Sequence, residues 1–300
     1  MSFLEVDNLT KRFAPAGGMF ARGGEPVAAV AGVSLSLDRG RKLGVVGESG
    51  SGKTTLGRVV MGLLQPDEGA VRFDGADVHH ANPDQRRRLR RHMQMIFQDN
   101  AGALDPRLRV GAAIAEPLRV HRLGRTAAAR RDIVVQWLEK VGLDASLLRR
   151  FPHELSGGQR QRIGIARALA VEPKMLIADE PVASLDVSIQ TQILELLADL
   201  VRETGVTLFF ISHDLRVVRA LTERVLVMYR GHAVELGPTE SLIRRPLHPY
   251  TQSLIAAIPA LHPADRHLLA GPAATEKNDA WLPPDAPWRE AAPGHYVRGV

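Results

Sequence analysis

Gly47-Glu48-Ser49-Gly50-Ser51-Gly52-Lys53-Thr54 follows the apolar run Leu43-Gly44-Val45-Val46 and precedes a segment of helical pattern from Thr55 to Leu64. Its spacing is G-x-x-x-x-G-K-[ST]. In such a loop the glycines let the backbone wrap a phosphate chain, the lysine carries a positive charge to the β and γ oxygens, and the threonine hydroxyl suits a Mg2+ ion. A helix beginning directly behind the loop points its positive end at the same anion. Strand, loop and helix in this order predict a bound nucleoside triphosphate. The binding residues are then Gly47, Glu48, Ser49, Gly50, Ser51, Gly52, Lys53, Thr54 and Thr55.

Upstream, residues 3 to 37 carry short alternating apolar segments interrupted by the glycine-rich stretch from Pro15 to Gly24, which predicts an antiparallel start with an excursion. Downstream, Gln65-Pro66-Asp67-Glu68-Gly69 ends the helix in a turn, and Val71 and Phe73 return to strand patterning. The run Arg86-Arg87-Arg88-Leu89-Arg90-Arg91 reads first as a solvated helix face, with an acidic-lipid or partner contact as the alternative; the lack of interleaved stacking aromatics counts against nucleic acid. From Val110 to Ala170 the pattern is helical, with Ile133, Val134, Trp137, Leu138 and Val141 on one face and Ile163, Ile165, Ala166 and Leu169 on another. Met175-Leu176-Ile177-Ala178 and Val206 to Ile211 are uninterrupted apolar runs flanking an amphipathic helix, the pattern of buried parallel strands. Val225 to Tyr229 and Ala233 to Leu236 read as two strands joined by a turn. The tail from Gly237, rich in Pro and Ala, predicts a helix or two and then an irregular end.

The 300 residues suffice for a core domain and a smaller attached unit, and the absence of cysteine excludes disulfides, thiolate metal sites and cysteine nucleophiles. A net charge of +6 and a pI near 10.0 fit an anionic partner without choosing one. No apolar run approaches the roughly eighteen residues of a membrane span, and Met1 to Asp7 carries acids where a secretory signal carries bases. The expectation is a chain that stays in the cytoplasm.

Ligands of open parallel sheets sit beyond the carboxyl ends of the strands, and three strands here end in polar groups: the Lys53 loop, Asp179-Glu180 and His213. They are expected to converge. Asp179, behind an apolar strand, becomes a metal partner of Thr54, and Glu180 is placed to polarise an attacking water. His213 becomes a γ-phosphate contact. Leu155-Ser156-Gly157-Gly158-Gln159 is a second glycine-bearing turn opening a helix, with Ser156 as N-cap. One nucleotide does not need two cradles so far apart in sequence, so the second is expected to serve a nucleotide held by another subunit.

On these motifs the chain resembles an ATP-binding-cassette (ABC) ATPase, and more specifically the ATP-binding subunit of oligopeptide/dipeptide-type importers. The landmarks run in order: Phe13 for adenine stacking, the loop Gly47 to Thr54, Gln98 in the Q-loop, the signature Leu155 to Gln159, Asp179-Glu180, the D-loop Ser184-Leu185-Asp186, and His213 in the switch. The importer subclass is carried by Pro152-His153-Glu154, Leu104-Asp105-Pro106-Arg107, and His248-Pro249-Tyr250-Thr251-Gln252 to Ile258-Pro259. Phe13 stands where the family has tyrosine and Asp105 where it has asparagine. The cysteine-rich segment of some relatives is absent, while Pro293-Gly294-His295 matches the family's ending.

The resemblance implies an α/β P-loop NTPase core with an antiparallel β subdomain and an inserted α-helical subdomain, plus a C-terminal extension. The corresponding limits are 1–236 for the ATPase domain, about 99–162 for the helical insertion and 237–300 for the extension. It implies ATP and Mg2+ as cofactors, with Glu180, His213 and Gln98 catalytic, Thr54, Gln98 and Asp179 at the metal, and Phe13, Ser156, Gly157, Gly158 and Asp186 joining the phosphate loop at the nucleotide. The partners implied are two membrane-spanning permease subunits, a second ABC ATPase and, indirectly, an extracytoplasmic binding protein, with no nucleic acid, at the cytoplasmic face of the inner membrane. The contrasting class is a soluble ABC ATPase of a non-transport complex, of phosphonate-degradation or nucleic-acid-associated type. One cassette and no sustained heptads count against the nucleic-acid form.

Overall fold

The structure, a computed structural model, describes residues 2–14, 26–98, 104–183, 185–257 and 286–299. The stretch from Pro15 to Gly24, Asp99, Ser184, Ile258-Pro259 and Pro283-Pro284 lie outside them. The chain divides into two compact units, one of residues 1–79 with 210–300 and one of residues 80–209.

In the first unit, β1 (Leu4–Phe13), β2 (Val27–Leu37), β4 (Glu68–Phe73) and β5 (Ala76–Asp77) form an antiparallel sheet in the order β2-β1-β4-β5. The alternation read from the sequence decides its register: Leu4 faces Leu37 and Phe73, Val6 faces Leu35 and Val71, and all six are buried. The same unit holds β3 (Lys42–Val46), parallel to β9 (Arg224–Tyr229). β9 pairs antiparallel with β10 (His232–Pro238). Behind β3 comes α1 (Lys53–Val60), which starts two residues earlier and ends four residues earlier than the pattern suggested, because Gly62 at φ 73° turns the chain out of the helix. The unit also contains α7 (Leu215–Leu221), α8 (Thr239–Arg244) and α9 (Pro249–Ala256).

The second unit contains β6 (Met93–Ile96), parallel to β7 (Met175–Asp179), whose five residues are all buried. Its helices are α2 (Pro83–His92), α3 (Val110–Val120), α4 (Ala127–Lys140), α5 (Gly157–Leu169) and α6 (Val187–Thr204). The remaining strand, β8 (Thr207–Ser212), has residues in both units. The arginine run lies on α2, where Arg86, Arg87, Arg88 and Arg90 are exposed and Leu89 is the buried residue, as a solvated face requires. An Asn82–Gln85 capping box starts that helix. Among the described residues from 104 to 162 there is no strand, in keeping with the helical pattern.

The end of the chain departs from the expected irregular tail. Residues Trp288–Ala292 (β11) and His295–Arg298 (β12) form a hairpin, and β12 pairs with β10. The cause is one buried carboxylate. Glu235 on β10 is fully buried; its Oε1 accepts from Leu247 N at 3.0 Å and lies 2.7 Å from His295 Nε2, while Oε2 accepts from His248 N at 3.0 Å. Gly237 leaves room for the imidazole, since a methyl there would lie 2.7 Å from His295 Cδ2. Neither contact can be read from a proline-rich tail whose partner is some sixty residues away.

Glu235→Ala would strand two backbone donors, the buried His248 N and the half-buried Leu247 N, at a cost of up to about 1–3 kcal/mol each. The expected outcome is a melting temperature lower by roughly 5–10 °C in a calorimetric scan. An unchanged transition would show that the hairpin is anchored elsewhere.

Candidate functional site: a phosphate loop and a paired glutamate

Two glycines of the phosphate loop are dictated by close backbone approach within the first unit. Gly47 has φ 151°, and a methyl there would lie 2.2 Å from the Met228 carbonyl oxygen; Gly52 has φ 99°, and a methyl would lie 1.9 Å from the Ala29 carbonyl oxygen. The loop is thus wedged between β9 and β2. Gly50, at φ 82°, differs: nothing lies within 4 Å of the methyl position, and Glu48, Ser49 and Gly50 are exposed. This side of the loop is open.

Lys53 is 4% exposed, and its ammonium donates to Gly47 O (2.8 Å), Glu48 O (2.7 Å) and Ser51 Oγ (3.4 Å). The loop therefore has its cation folded against its own carbonyls. Ser51 N donates to Glu48 O, and Gly231 N donates to Ser51 O, tying the loop to the β9–β10 turn. Gly52 is the N-cap of α1, and Thr54 and Thr55 lie half-buried in its first turn, where helix amides point out along the axis. The donor set of amides, ammonium and hydroxyls suits a phosphate chain.

Elsewhere in this unit, Phe13 ends β1, 42% exposed, with the Lys11 ammonium 5.8 Å from its ring centroid. An aromatic face is available there for stacking. His213 is exposed directly after β8. The residues flanking it are fixed: Asp214 N donates to Ser212 Oγ, and the Asp214 carboxylate caps α7 and holds the Arg216 guanidinium at 2.6–3.0 Å. Burial pushes the Asp214 carboxyl up, but the bonds from Arg216 outweigh it and hold the group below the usual carboxylate range.

In the second unit the structure joins two of the residues singled out in the sequence. Gln98 Nε2 donates to Glu180 Oε2 at 3.2 Å. Glu180 follows the last residue of β7, Asp179, which is 1% exposed, and it adopts φ 44°. A non-glycine residue in that region is costly and marks a position where geometry matters more than comfort.

Ser156 caps α5 as expected: its Oγ accepts from Gln159 N at 3.2 Å, and Gln159 Oε1 accepts from Ser156 N at 3.0 Å. The glycines behind it have a packing reason. A methyl at Gly157 would lie 3.1 Å from Leu185 Cδ2, and one at Gly158 would lie 2.8 Å from Ile189 Cγ2. Gly157-Gly158 thus lets the signature turn lie against the D-loop and the start of α6. Asp186 is the exposed N-cap of α6, without a side-chain cap bond.

Two residues that sequence reasoning passed over complete this arrangement. Gln190 Nε2 donates to Val182 O (3.1 Å) and Leu185 O (2.9 Å), bracing the segment after Glu180, and Arg160 Nη1 donates to Leu155 O (2.8 Å) at the entry of the signature. Gln190 looks like one polar position on an amphipathic helix, and no local signal marks it. Asp105 also acquires a role: it accepts from Arg107 N and from both Nε and Nη2 of the guanidinium at 2.9–3.1 Å. Asparagine has only one acceptor oxygen and could not take both guanidinium bonds in that way.

Two family models match parts of the chain: ABC transporter over residues 30–183, and oligopeptide/dipeptide transporter, C-terminal region, over residues 234–280. The chain is similar to the oligopeptide transport ATP-binding protein OppF of Salmonella typhimurium, 52% identical over 235 residues, 78% of this chain and 70% of that protein. It is similar to the glutathione import ATP-binding protein GsiA of Pectobacterium atrosepticum, 48% identical over 264 residues, 88% of this chain but only 42% of the relative. Among solved structures, the ATP-binding cassette MJ0796, dimeric and bound to ADP and Pi, aligns with a TM-score of 0.69 at 30% identity, covering 79% of this chain and 98% of that one. The phosphate loop, the strained Glu180 and these matches agree: the chain belongs to the ABC transporter family, as an ATP-binding cassette with a C-terminal region of the oligopeptide/dipeptide transporter type.

Proposed function

We propose that this ATPase powers the import of oligopeptides or dipeptides, as the peripheral subunit of a transporter at the cytoplasmic face of the inner membrane. No helix among the described residues is long and apolar enough to cross a membrane. Two membrane-spanning permease subunits and a second ABC ATPase complete the assembly, and an extracytoplasmic binding protein delivers the cargo. The division into an ATPase domain of 1–236, a helical insertion of about 99–162 and an extension of 237–300 belongs to the same reading.

ATP is held by the loop Gly47 to Thr55, with adenine against Phe13. In a head-to-tail pair of cassettes, Ser156, Gly157, Gly158 and Asp186 of the opposite chain close over it. Thr54, Asp179 and Gln98 would hold a Mg2+ ion, which neutralises charge developing on the phosphate oxygens. Glu180 orients and deprotonates the attacking water, and His213 steadies the γ-phosphate.

The observation that carries the reading is the Gln98–Glu180 hydrogen bond. It binds the residue that polarises water to the residue opening the segment 98–117, the proposed permease-facing surface. A partner pressing on that segment then biases the position of the base.

Lys53→Ala is expected to weaken ATP binding by on the order of 10²-fold, read by equilibrium nucleotide binding, because it removes the charge on the β/γ oxygens. Glu180→Gln should lower kcat by about 10²-fold or more while ATP stays bound and the dimer stays closed, visible in turnover and size-exclusion measurements; ordinary turnover would reassign the base. Replacing Asp105-Pro106 by Ala-Gly should leave ATP binding intact and uncouple it from peptide uptake in reconstituted vesicles. Uptake at the parent rate would reject that surface.

A further inference from the structure

The sequence His248-Pro249-Tyr250 opens α9, and none of the roles assigned above uses it. Its geometry reaches the phosphate loop. Tyr250 is 1% exposed, and its hydroxyl oxygen accepts a hydrogen bond from Glu48 N at 2.8 Å. The carbonyl of the same peptide unit, Gly47 O, accepts from the Lys53 ammonium at 2.8 Å. The Gly47–Glu48 peptide is therefore gripped at both ends, by the phosphate-binding lysine on one side and a tyrosine of the C-terminal extension on the other.

Tyr250 is itself held in place. His248 Nδ1 accepts from Tyr250 N at 3.1 Å and caps the helix, Pro249 occupies the first helical position, and His248 N donates to the buried Glu235 carboxylate. The Tyr250 ring packs on Tyr229 with centroids 4.4 Å apart, and Tyr229 follows Met228, the residue whose carbonyl forbids a side chain at Gly47. The ring is thus restrained by β9, the strand that also borders the loop.

A peptide plane joining two soft dihedrals can turn over unless both its groups are bonded. In one orientation of this plane Gly47 O receives Lys53; in the other, that acceptor is withdrawn and the lysine keeps only Glu48 O and Ser51 Oγ. From this the geometry points to Tyr250 as a positioning residue for nucleotide binding: its hydroxyl holds the Gly47–Glu48 peptide in the orientation that seats Lys53 in a competent phosphate loop. The inference rests on the reading of residues 47–54 as the ATP phosphate site, and it gives the C-terminal extension a function inside the ATPase cycle.

The test is Tyr250→Phe, which removes the hydroxyl and keeps the ring on Tyr229. Losing one such bond lowers the fraction of competent loop, and apparent affinity falls by the same factor. KM and Kd for ATP are expected to rise roughly 3- to 10-fold, with kcat at saturating ATP within about twofold of the parent. A merely structural hydroxyl would instead lower the melting temperature of the nucleotide-free chain and leave KM, measured well below that temperature, unmoved. That result overturns the inference. If the parent chain itself binds no ATP, the phosphate-site reading fails, and the inference with it. Should the variant not fold, amide-resolved hydrogen exchange on the parent chain decides: a protected Glu48 amide supports the bond, and free exchange overturns it.

Discussion

The tightest constraint in this protein is steric. The phosphate loop leaves β3 and enters α1 through a gap between the backbone of β2 and that of β9, with carbonyl oxygens lying 1.9 and 2.2 Å from where side chains at Gly52 and Gly47 would begin. No residue with a Cβ can pass there. The gap is kept by hydrogen bonds across it: Ala31 N to Gly231 O on one side and Gly231 N to Ser51 O on the other. Lys53, Tyr250 and the open Gly50 side take their meaning from a loop held that rigidly, because a preorganised cradle does not spend binding energy on ordering itself.

In the second unit the same economy is reached with side chains. Glu180 is left at φ 44° and tethered to Gln98, and Gln190 braces the turn that follows. Gly157 and Gly158, which the sequence suggests as a phosphate cradle, owe their lack of side chains at least as directly to Leu185 and Ile189. The two readings are compatible. A helix N-terminus capped by Ser156 and pressed onto the D-loop is an anion-attracting end whose position follows the segment after Glu180.

The β11–β12 hairpin and α9 are bound into the first unit by a buried acid. Glu235 gathers two backbone amides and an imidazole, and these lead to the hairpin on one side and to α9 on the other. A buried carboxylate with satisfied partners fixes a unique arrangement, since any other register strands it without donors. The prolines and alanines of the tail carry little strand signal, so the hairpin became visible only when its partner strand was in place.

By itself the sequence determined the elements whose cause is local. G-x-x-x-x-G-K-T announces its loop because chain geometry requires glycine at fixed offsets, the alternating Leu4, Val6, Leu35 and Val71 announce a one-sided sheet, and Ser156 with Gln159 announces a capped helix. Asp179-Glu180 was legible as the polar end of a buried strand. Only the tertiary structure decided the contacts made between residues far apart in the chain: Gln98 on Glu180, His295 on Glu235 and Tyr250 on Glu48. Each is a single hydrogen bond between side chains or amides of ordinary composition. Periodicity and spacing record which face of an element is buried; the pairing of its polar atoms is settled only when the chain has closed.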